Sequence, residues 1–423
     1  IEQFQHLNFP TVREESWKYT NVNPILETSF SPFDTAGAEL SSKELAPFDF
    51  GQTNWPKLVF VNGVYADHLS SVLASRNGLK VESFESTFTQ DPKLAEPYLA
   101  QLLPPDQDIF TAFNTAFIQG GAFIYLPEGK VLSEPVHLIF MSAGNQATVS
   151  HPRVLIVAGK KSRATVIESY ISLGKSSYFT NAVTEMVLED GASVEHYKLQ
   201  RESEEAFHIA ATHVRQNRNS KYTSFSISLG AKLSRNSLSV GLEAEGAECA
   251  LNGLYLASGD QHVDNTTLID HSKPHGISRQ LYKGLLSGHS TGVFSGKVFV
   301  HPDAQKTDAH QINKNLLLSD QANMNTKPQL EIMANDVQCT HGAAVGQLDE
   351  EAIFYFETRG IGREKARKLL SFGFANEVIQ AISPEPLRAE LNHLIFNRLE
   401  DFSCVPEALK HAEPERDVKN EWV

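Results

Sequence analysis

The feature that most narrows the fold is a change of texture at Phe123. From there to Gly346, roughly 220 residues, short strand-like pieces alternate with turn residues, and no amphipathic helix of ordinary length intervenes. The pieces include F-I-Y-L-P-E-G, P-V-H-L-I-F, R-V-L-I-V-A-G, A-T-V-I-E-S-Y and T-E-M-V-L-E-D-G-A-S-V-E-H-Y. A loose signature recurs at Gly191-Ala192, Gly230-Ala231 and Gly246-Ala247, where one strand runs into a small-residue turn and another follows. Such a pattern is shared by sandwiches, barrels and β-solenoids. Three points favour the solenoid: the region is too long for one ordinary sandwich, the Gly-small turns recur, and stacked rungs tolerate uneven lengths. The general preference of parallel crossovers makes the expected coil right-handed.

The flanks read differently. Residues 1–122 form a mixed α/β N-terminal domain in this reading, 123–346 the β-helix core, and 347–423 a C-terminal helical domain with a mobile tail. Arg13 to Thr20, R-E-E-S-W-K-Y-T, suits a docking arm or a helix start capped near Ser16. Lys57 to Ala66 reads as a β-hairpin about an Asn62-Gly63 turn. Helical spacing covers Ala95 to Leu103 and Asp108 to Gln119, the second stopping at Gly120-Gly121. Beyond Gly346, Asp349 can cap a short helix carrying Ile353, Phe354 and Phe356 and ending near Gly360. A second helix runs from about Arg363 to Ile382, and a third follows Pro386.

Composition excludes several classes. Among 423 residues the 51 acidic side chains outnumber 37 basic ones, and no dense Lys/Arg cluster offsets the formal charge of −14, so no nucleic-acid partner is expected. No apolar run is long enough for a membrane span. Cys249, Cys339 and Cys404 are odd in number and far apart, which speaks against a disulfide framework and for a reducing compartment, cytosol or plastid stroma. The chain opens at Ile1 with neither methionine nor signal-peptide pattern, which leaves room for residues upstream.

No complete phosphate loop is present: Gly174-Lys175-Ser176 resembles the end of one, but Ser169 stands where its first glycine belongs. Gly288 to Gly292 is a G-x-S-x-G around Ser290, yet strand-like V-F-S-G-K-V-F-V follows instead of the helix a nucleophile elbow needs, so it reads as a turn. His262, His271, His275, His289, His301 and His310 are enriched in one stretch at irregular spacings, which argues for exposed turn histidines over a metal site. Cys249 reads as a packed free thiol, and Cys404 has no neighbouring partner. That leaves Asp336 to Ala343, D-V-Q-C-T-H-G-A. In a strand, Cys339 and His341 share one face with Cα atoms about 6.5–7 Å apart, close enough for a thiolate and an imidazole to hold one metal or cluster. Val337, Ala343 and Val345 share that parity, so simple packing is the competing reading. Two ligands cannot complete a four-coordinate shell, and a metal-binding pair would need the rest from another strand or a second chain.

Asp336 to Ile361, D-V-Q-C-T-H-G-A-A-V-G-Q-L-D-E-E-A-I-F-Y-F-E-T-R-G-I, resembles the C-terminal signature of the SufD branch of the SufB/SufD family. The resemblance extends to V-D-N-T-T-L-I-D-H, Y-K-G-L-L-S, F-S-G-K-V-F-V-H-P-D-A-Q-K-T-D-A-H-Q-I-N-K-N-L-L-L-S and K-P-Q-L-E-I, and to W-K-Y-T and F-N-T-A-F-I-Q-G-G near the start. Where SufB reads H-E-A, this chain has His341-Gly342-Ala343, which favours the SufD branch. The resemblance implies a right-handed parallel β-helix between the two flanking domains and a non-enzymatic scaffold of the SUF iron–sulfur assembly machinery. It further implies pairing with SufB and docking of the ATPase SufC on the C-terminal helices, with the isolated chain able to homodimerise. By the same implication, Cys339 and His341 would be ligands of a transient iron–sulfur cluster shared with SufB, with no cofactor held tightly by the isolated chain. Phe354, Tyr355, Arg359 and Gly360 would lie in the partner-docking segment. The rivals are a purely structural adaptor and a β-solenoid enzyme acting on polysaccharide, for which aromatic content of 9% and no paired-carboxylate motif give little support.

Overall fold

A computed structural model describes residues 7–31, 40–52, 54–72, 77–104, 106, 108–118, 120–144 and 146–401. The closing polar run and Cys404 lie outside the described residues. Before the solenoid come α1 (Asn23–Leu26), α2 (Ser42–Leu45), β1 (Lys57–Val61), β2 (Val64–Tyr65), β3 (Lys80–Ser83), α3 (Phe84–Gln90), α4 (Pro92–Ala95) and α5 (Ile109–Ala116). The strands then alternate between two faces, β6 and β7 sharing one, through β4 (Gly121–Leu126), β5 (Val136–Ala143), β6 (Thr148–Ser150), β7 (Arg153–Ala158), β8 (Arg163–Leu173), β9 (Tyr178–Leu188), β10 (Ser193–Arg201) and β11 (Phe207–Gln216). They continue as β12 (Lys221–Leu229), β13 (Leu233–Leu242), β14 (Glu248–Ala257), β15 (His262–His271), β16 (Ile277–Leu286), β17 (Thr291–Val300), β18 (Asp308–Leu317), β19 (Asn323–Ile332) and β20 (Gln338–Gly346). The chain ends in α6 (Glu350–Glu357), α7 (Arg363–Ile379) and α8 (Glu385–Asp401).

Two sheets result, parallel throughout except where β2 joins β1 and β3 joins β4 antiparallel. One runs β2-β1-β5-β8-β10-β12-β14-β16-β18-β20 and the other β19-β17-β15-β13-β11-β9-β7-β4-β3, as expected for a parallel β-solenoid. Pairing is in register, so like-parity side chains stack from rung to rung: Cys249 over Ser278, then Ala309, then Cys339. One corner repeats along the axis. Lys161, Gly191, Asn219, Gly246, His275 and Lys306 all have positive φ, and each donates its amide to a carbonyl of the next rung. This corner returns roughly every 30 residues, a solenoid repeat that only partly uses glycine. At the opposite corner Gly230 is obligatory, because a Cβ there would collide with the Glu202 carbonyl.

The interior carries one continuous apolar core from Leu58 to Ala334. Its middle holds ionisable side chains that pair: Glu168 accepts from Tyr170 at 2.8 Å and meets His196 at 3.0 Å, while Lys198 reaches His208 at 2.8 Å. On the outside, α7 and α8 lie across the sheet of β14 and β16, where Val378, Ile379, Leu391 and Ile395 bury Leu254, Leu256 and Leu285. Lys283 fastens this layer through Glu377 and the Phe374 carbonyl.

The N-terminal segment is continuous with the solenoid sheets. The β1–β2 hairpin turns at Asn62 and Gly63, both with positive φ, and β1 pairs in parallel with β5. Arg13 to Thr20 carries only a single 3-10 turn, Glu15–Trp17, with no side-chain cap from Ser16. It behaves as an arm: Trp17 lies over the Arg235 guanidinium at 3.9 Å, and Thr20 donates to Asp264 at 2.5 Å.

Two helical expectations need correction. The helix over Ala95 to Leu103 does not form, since α4 ends at Ala95 and turns follow. The amides of Ala100, Leu102 and Leu103 instead donate to the Glu185 carboxylate at 2.9, 2.9 and 3.2 Å, and a helix would have taken them for itself. The helix after Asp108 does form, with Asp108 capping Thr111, but it stops at Phe117 rather than at Gly120-Gly121. Those glycines serve a close approach: a Cβ on Gly121 would strike the Arg153 carbonyl.

Candidate functional site

The pair singled out by the sequence sits on the terminal rung. In β20, Cys339 is aligned with Ala309 of β18 and His341 with Gln311. Ala309, Gln311, Asn313 and Asn315 are all buried, so this parity of β18 faces inward. Cys339 and His341 follow it, and Cys339 packs against the core while remaining half-buried. His341 and the rest of β20 are exposed, because the described chain places no further rung over them. The site is therefore the open end of the solenoid interior. Packing holds for Cys339 and fails for His341.

The backbone geometry adds to this. Gln338 donates its amide to Thr307 in the direction of β18 at 2.8 Å. In a parallel strand successive residues point their N–H and C=O to opposite sides. The amides of Cys339, His341, Ala343 and Val345 thus point away from β18, along an edge to which no described strand pairs. The matching edge of β19 is interrupted. Asn323 donates towards β17 at 2.9 Å, so even-numbered residues face outward there, and Pro328, which has no N–H, is one of them. Of the two terminal strands, β20 is the one with a continuous run of donors.

Burial raises the Cys339 thiol pKa, and the Ala309 backbone amide works against that effect. A metal at this sulfur must displace a proton, so capture strengthens with rising pH. Among the described residues no group of three or more His, Cys, Asp or Glu side chains could hold a metal ion. The pair supplies two soft or borderline donors and needs the others from elsewhere.

The second expected set lies on and just after α6, which follows β20 across a three-residue link. Asp349 caps α6 by accepting from Glu351 at 2.9 Å. Phe354 and Tyr355 project from α6 at 65% and 56% exposure, large values for aromatic rings. Arg359 lies 4.4 Å over the Tyr355 ring, and Gly360, at φ 77°, ends the helix. Glu350 then takes two hydrogen bonds from Arg363, at 2.8 and 2.7 Å, which ties α6 to α7. Ile353 is buried and Phe356 half-buried, whereas the rings of Phe354 and Tyr355 stand in solvent.

The enriched histidines do not converge. His271 is buried against Ser278 at 2.9 Å, His275 holds an exposed corner, and His301 and His310 pair with Asp270 and Asp308 at 2.9 and 3.0 Å. Ser290 is fully buried and donates to the Ala257 carbonyl at 3.1 Å, which removes it as a nucleophile and leaves it a turn residue. A residue the sequence did not flag is Gln311, directly beneath His341. In the alternation D-A-H-Q-I-N-K-N, Ile312 looks like the inward residue, whereas it is 40% exposed and the amides face in. Among the described residues no helix is long and apolar enough to cross a membrane.

Comparison with known proteins gives a consistent picture. Residues 140–374 match the family model described as "SUF system FeS cluster assembly, SufBD core domain", and residues 1–138 match the "SufBD protein N-terminal region". An iron–sulfur cluster assembly SufBD family protein of Synechocystis is 31% identical, over 93% of this chain and 88% of its own length. The iron–sulfur cluster assembly protein SufD of Escherichia coli is 30% identical, over 94% and 91%. The chloroplastic protein ABCI7 of Arabidopsis thaliana is 29% identical, over 91% and 82%.

Proposed function

Since this chain belongs to the SufBD family of iron–sulfur cluster assembly proteins, we propose that it is a scaffold subunit whose terminal rung forms half of a cluster-building site. The observation that carries the reading is the coincidence on one strand, β20, of an unpaired backbone edge and an incomplete ligand pair. A paralogous partner, SufB in this reading, adds a strand to that edge and contributes the missing ligands for a nascent cluster. The cluster is cargo, formed by ligand exchange at a soft thiolate and an imidazole and then passed on. Phe354, Tyr355, Arg359 and Gly360 form the docking surface for the ATPase SufC, and motion there reaches β20 through the three-residue link. No catalytic residue of this chain is required. The compartment is cytosol or plastid stroma.

The test is anaerobic reconstitution with iron and sulfide, following visible absorption for the chain alone, the partner alone and the pair. A cluster on the pair and none on this chain alone is the expected result; full yield on this chain alone would remove the shared site. Alanine 343 allows a sharper check. Ala343→Pro deletes an edge amide and leaves the β18 ladder intact, so partner affinity should fall about tenfold, the scale of one hydrogen bond, with unfolding unchanged. Ala344→Pro, whose amide points to β18, should instead lower stability. On α6, Phe354→Ser should weaken ATPase binding by tenfold or more, on the order of 2 kcal/mol, without lowering the melting temperature.

The structural-adaptor reading draws on one observation, the contact of Cys339 with the core. The Cys339 and His341 variants considered in the Discussion separate it from the ligand role.

A further inference from the structure

We propose that Gln311 is a positioning residue for His341: its side-chain carbonyl accepts the ring N–H and leaves the second imidazole nitrogen as a free lone pair at the open edge. The use of that lone pair rests on the scaffold reading; the hydrogen bond does not.

Gln311 is aligned with His341 in the adjacent rung, with Cα atoms about 4.8 Å apart, and both project to the inner face. Its side chain is 1% exposed. Its amide nitrogen donates to Gln280 Oε1 at 2.7 Å, and the amide nitrogen of Gln280 donates to Thr267 Oγ1 at 2.7 Å. Each of these amides thus donates inward, and Gln280 offers its oxygen to the next rung. The oxygen of Gln280 is taken by Gln311. The Oε1 of Gln311 is buried and has no protein partner among the described residues, so the proposed bond is one that the exposed His341 ring makes by turning onto it. Gly296 on the facing strand makes the arrangement possible, since a Cβ there would collide with Gln311 Nε2.

An unmet buried acceptor is costly, and the next group in the column is an imidazole. A neutral imidazole has one N–H and one lone pair, and the bond made by the first decides which nitrogen offers the second. The ladder Thr267–Gln280–Gln311 is therefore a second shell in the sense known for metal-binding histidines, where the outer partner fixes tautomer and ring orientation. It also gives a reason for amides to fill an inward column that apolar side chains could occupy.

The experiment is nitrogen-15 NMR of the His341 ring in the full chain, assigned by its loss in His341→Gln, at a pH where the ring is neutral. Wild type should show one dominant tautomer, and Gln311→Leu should move the ratio towards that of free imidazole. Gln311→Glu keeps an acceptor, with Gln280 able to turn and donate to it while Thr267 donates to the Gln280 oxygen, and should restore the wild-type tautomer. Iron(II) affinity of the cluster-free pair with its partner should fall about 10–100-fold in Gln311→Leu. An unchanged tautomer ratio in Gln311→Leu, or a ring that accepts from the Gln311 amide, would overturn the proposal. A shifted tautomer with unchanged iron affinity upholds the hydrogen bond and removes the ligand role of His341 instead.

Discussion

Replacing Glu185 with alanine should cost about 3–5 kcal/mol of folding stability, the scale of breaking a buried ion pair from one side. Glu185 and Arg153 are both fully buried and paired, and Arg153 also donates to Asn114 and Thr115 at 3.1 and 3.2 Å. The same carboxylate holds the amides of Ala100, Leu102 and Leu103. Its removal strands a guanidinium in a dry interior and orphans three backbone donors at once. Denaturant unfolding measures the loss, and the 96–103 segment should gain amide exchange well beyond the rest of the chain. Arg153→Met in the Glu185→Leu background removes both charges and should recover part of the loss, while the backbone donors remain unmet. A Glu185→Ala protein as stable as wild type would show that this carboxylate is not what fastens the N-terminal segment to the solenoid.

That anchor also marks the limit of what local sequence conveys. The spacing from Ala95 to Leu103 is helical, and the carboxylate that redirects its amides lies more than 80 residues away, where no local pattern can register it. The solenoid itself was legible from the run of short strands and Gly-small turns. Its period was not, because Lys161, Asn219, His275 and Lys306 share the left-handed corner with glycine. Cross-rung hydrogen bonding meets the cost of left-handed backbone at these non-glycine positions. At the site, two-residue spacing puts Cys339 and His341 on one face, as the register of β20 with β18 does, and the family signature motivates the cluster role proposed above. That the strand carrying them is the last of its sheet is invisible in its own residues, since edge and interior strands alternate alike. Gln311 was hidden for a related reason: an amide in an alternating strand reads as solvent-facing, and here the polar column is the inward one.

The other large effect is expected at the terminal rung. His341→Ala should leave secondary structure near wild type and cost no more than the bond to Gln311, about 1 kcal/mol, because the side chain is exposed and contributes no packing. Cluster yield on the reconstituted pair should nonetheless fall by at least the 10–100-fold that loss of a mere outer-shell partner brings at metal sites. Cys339→Ser should produce a comparable loss of cluster with a small loss of stability, since Cys339 touches the core. The double variant discriminates further. Two ligands of one cluster act as a unit, so the double loss should be close to either single loss rather than their product. If Cys339 and His341 only pack, the double variant still assembles clusters at the wild-type rate and the adaptor reading stands. A pH series adds an independent check. Burial raises the Cys339 pKa, so wild-type capture should strengthen as pH rises and the thiol gives up its proton. The Cys339→Ser pair should lose most of that dependence. Such a loss would tie the pH response to a sulfur that is half in the core and half at the open edge, the position a transient ligand needs in order to bind a cluster and then release it.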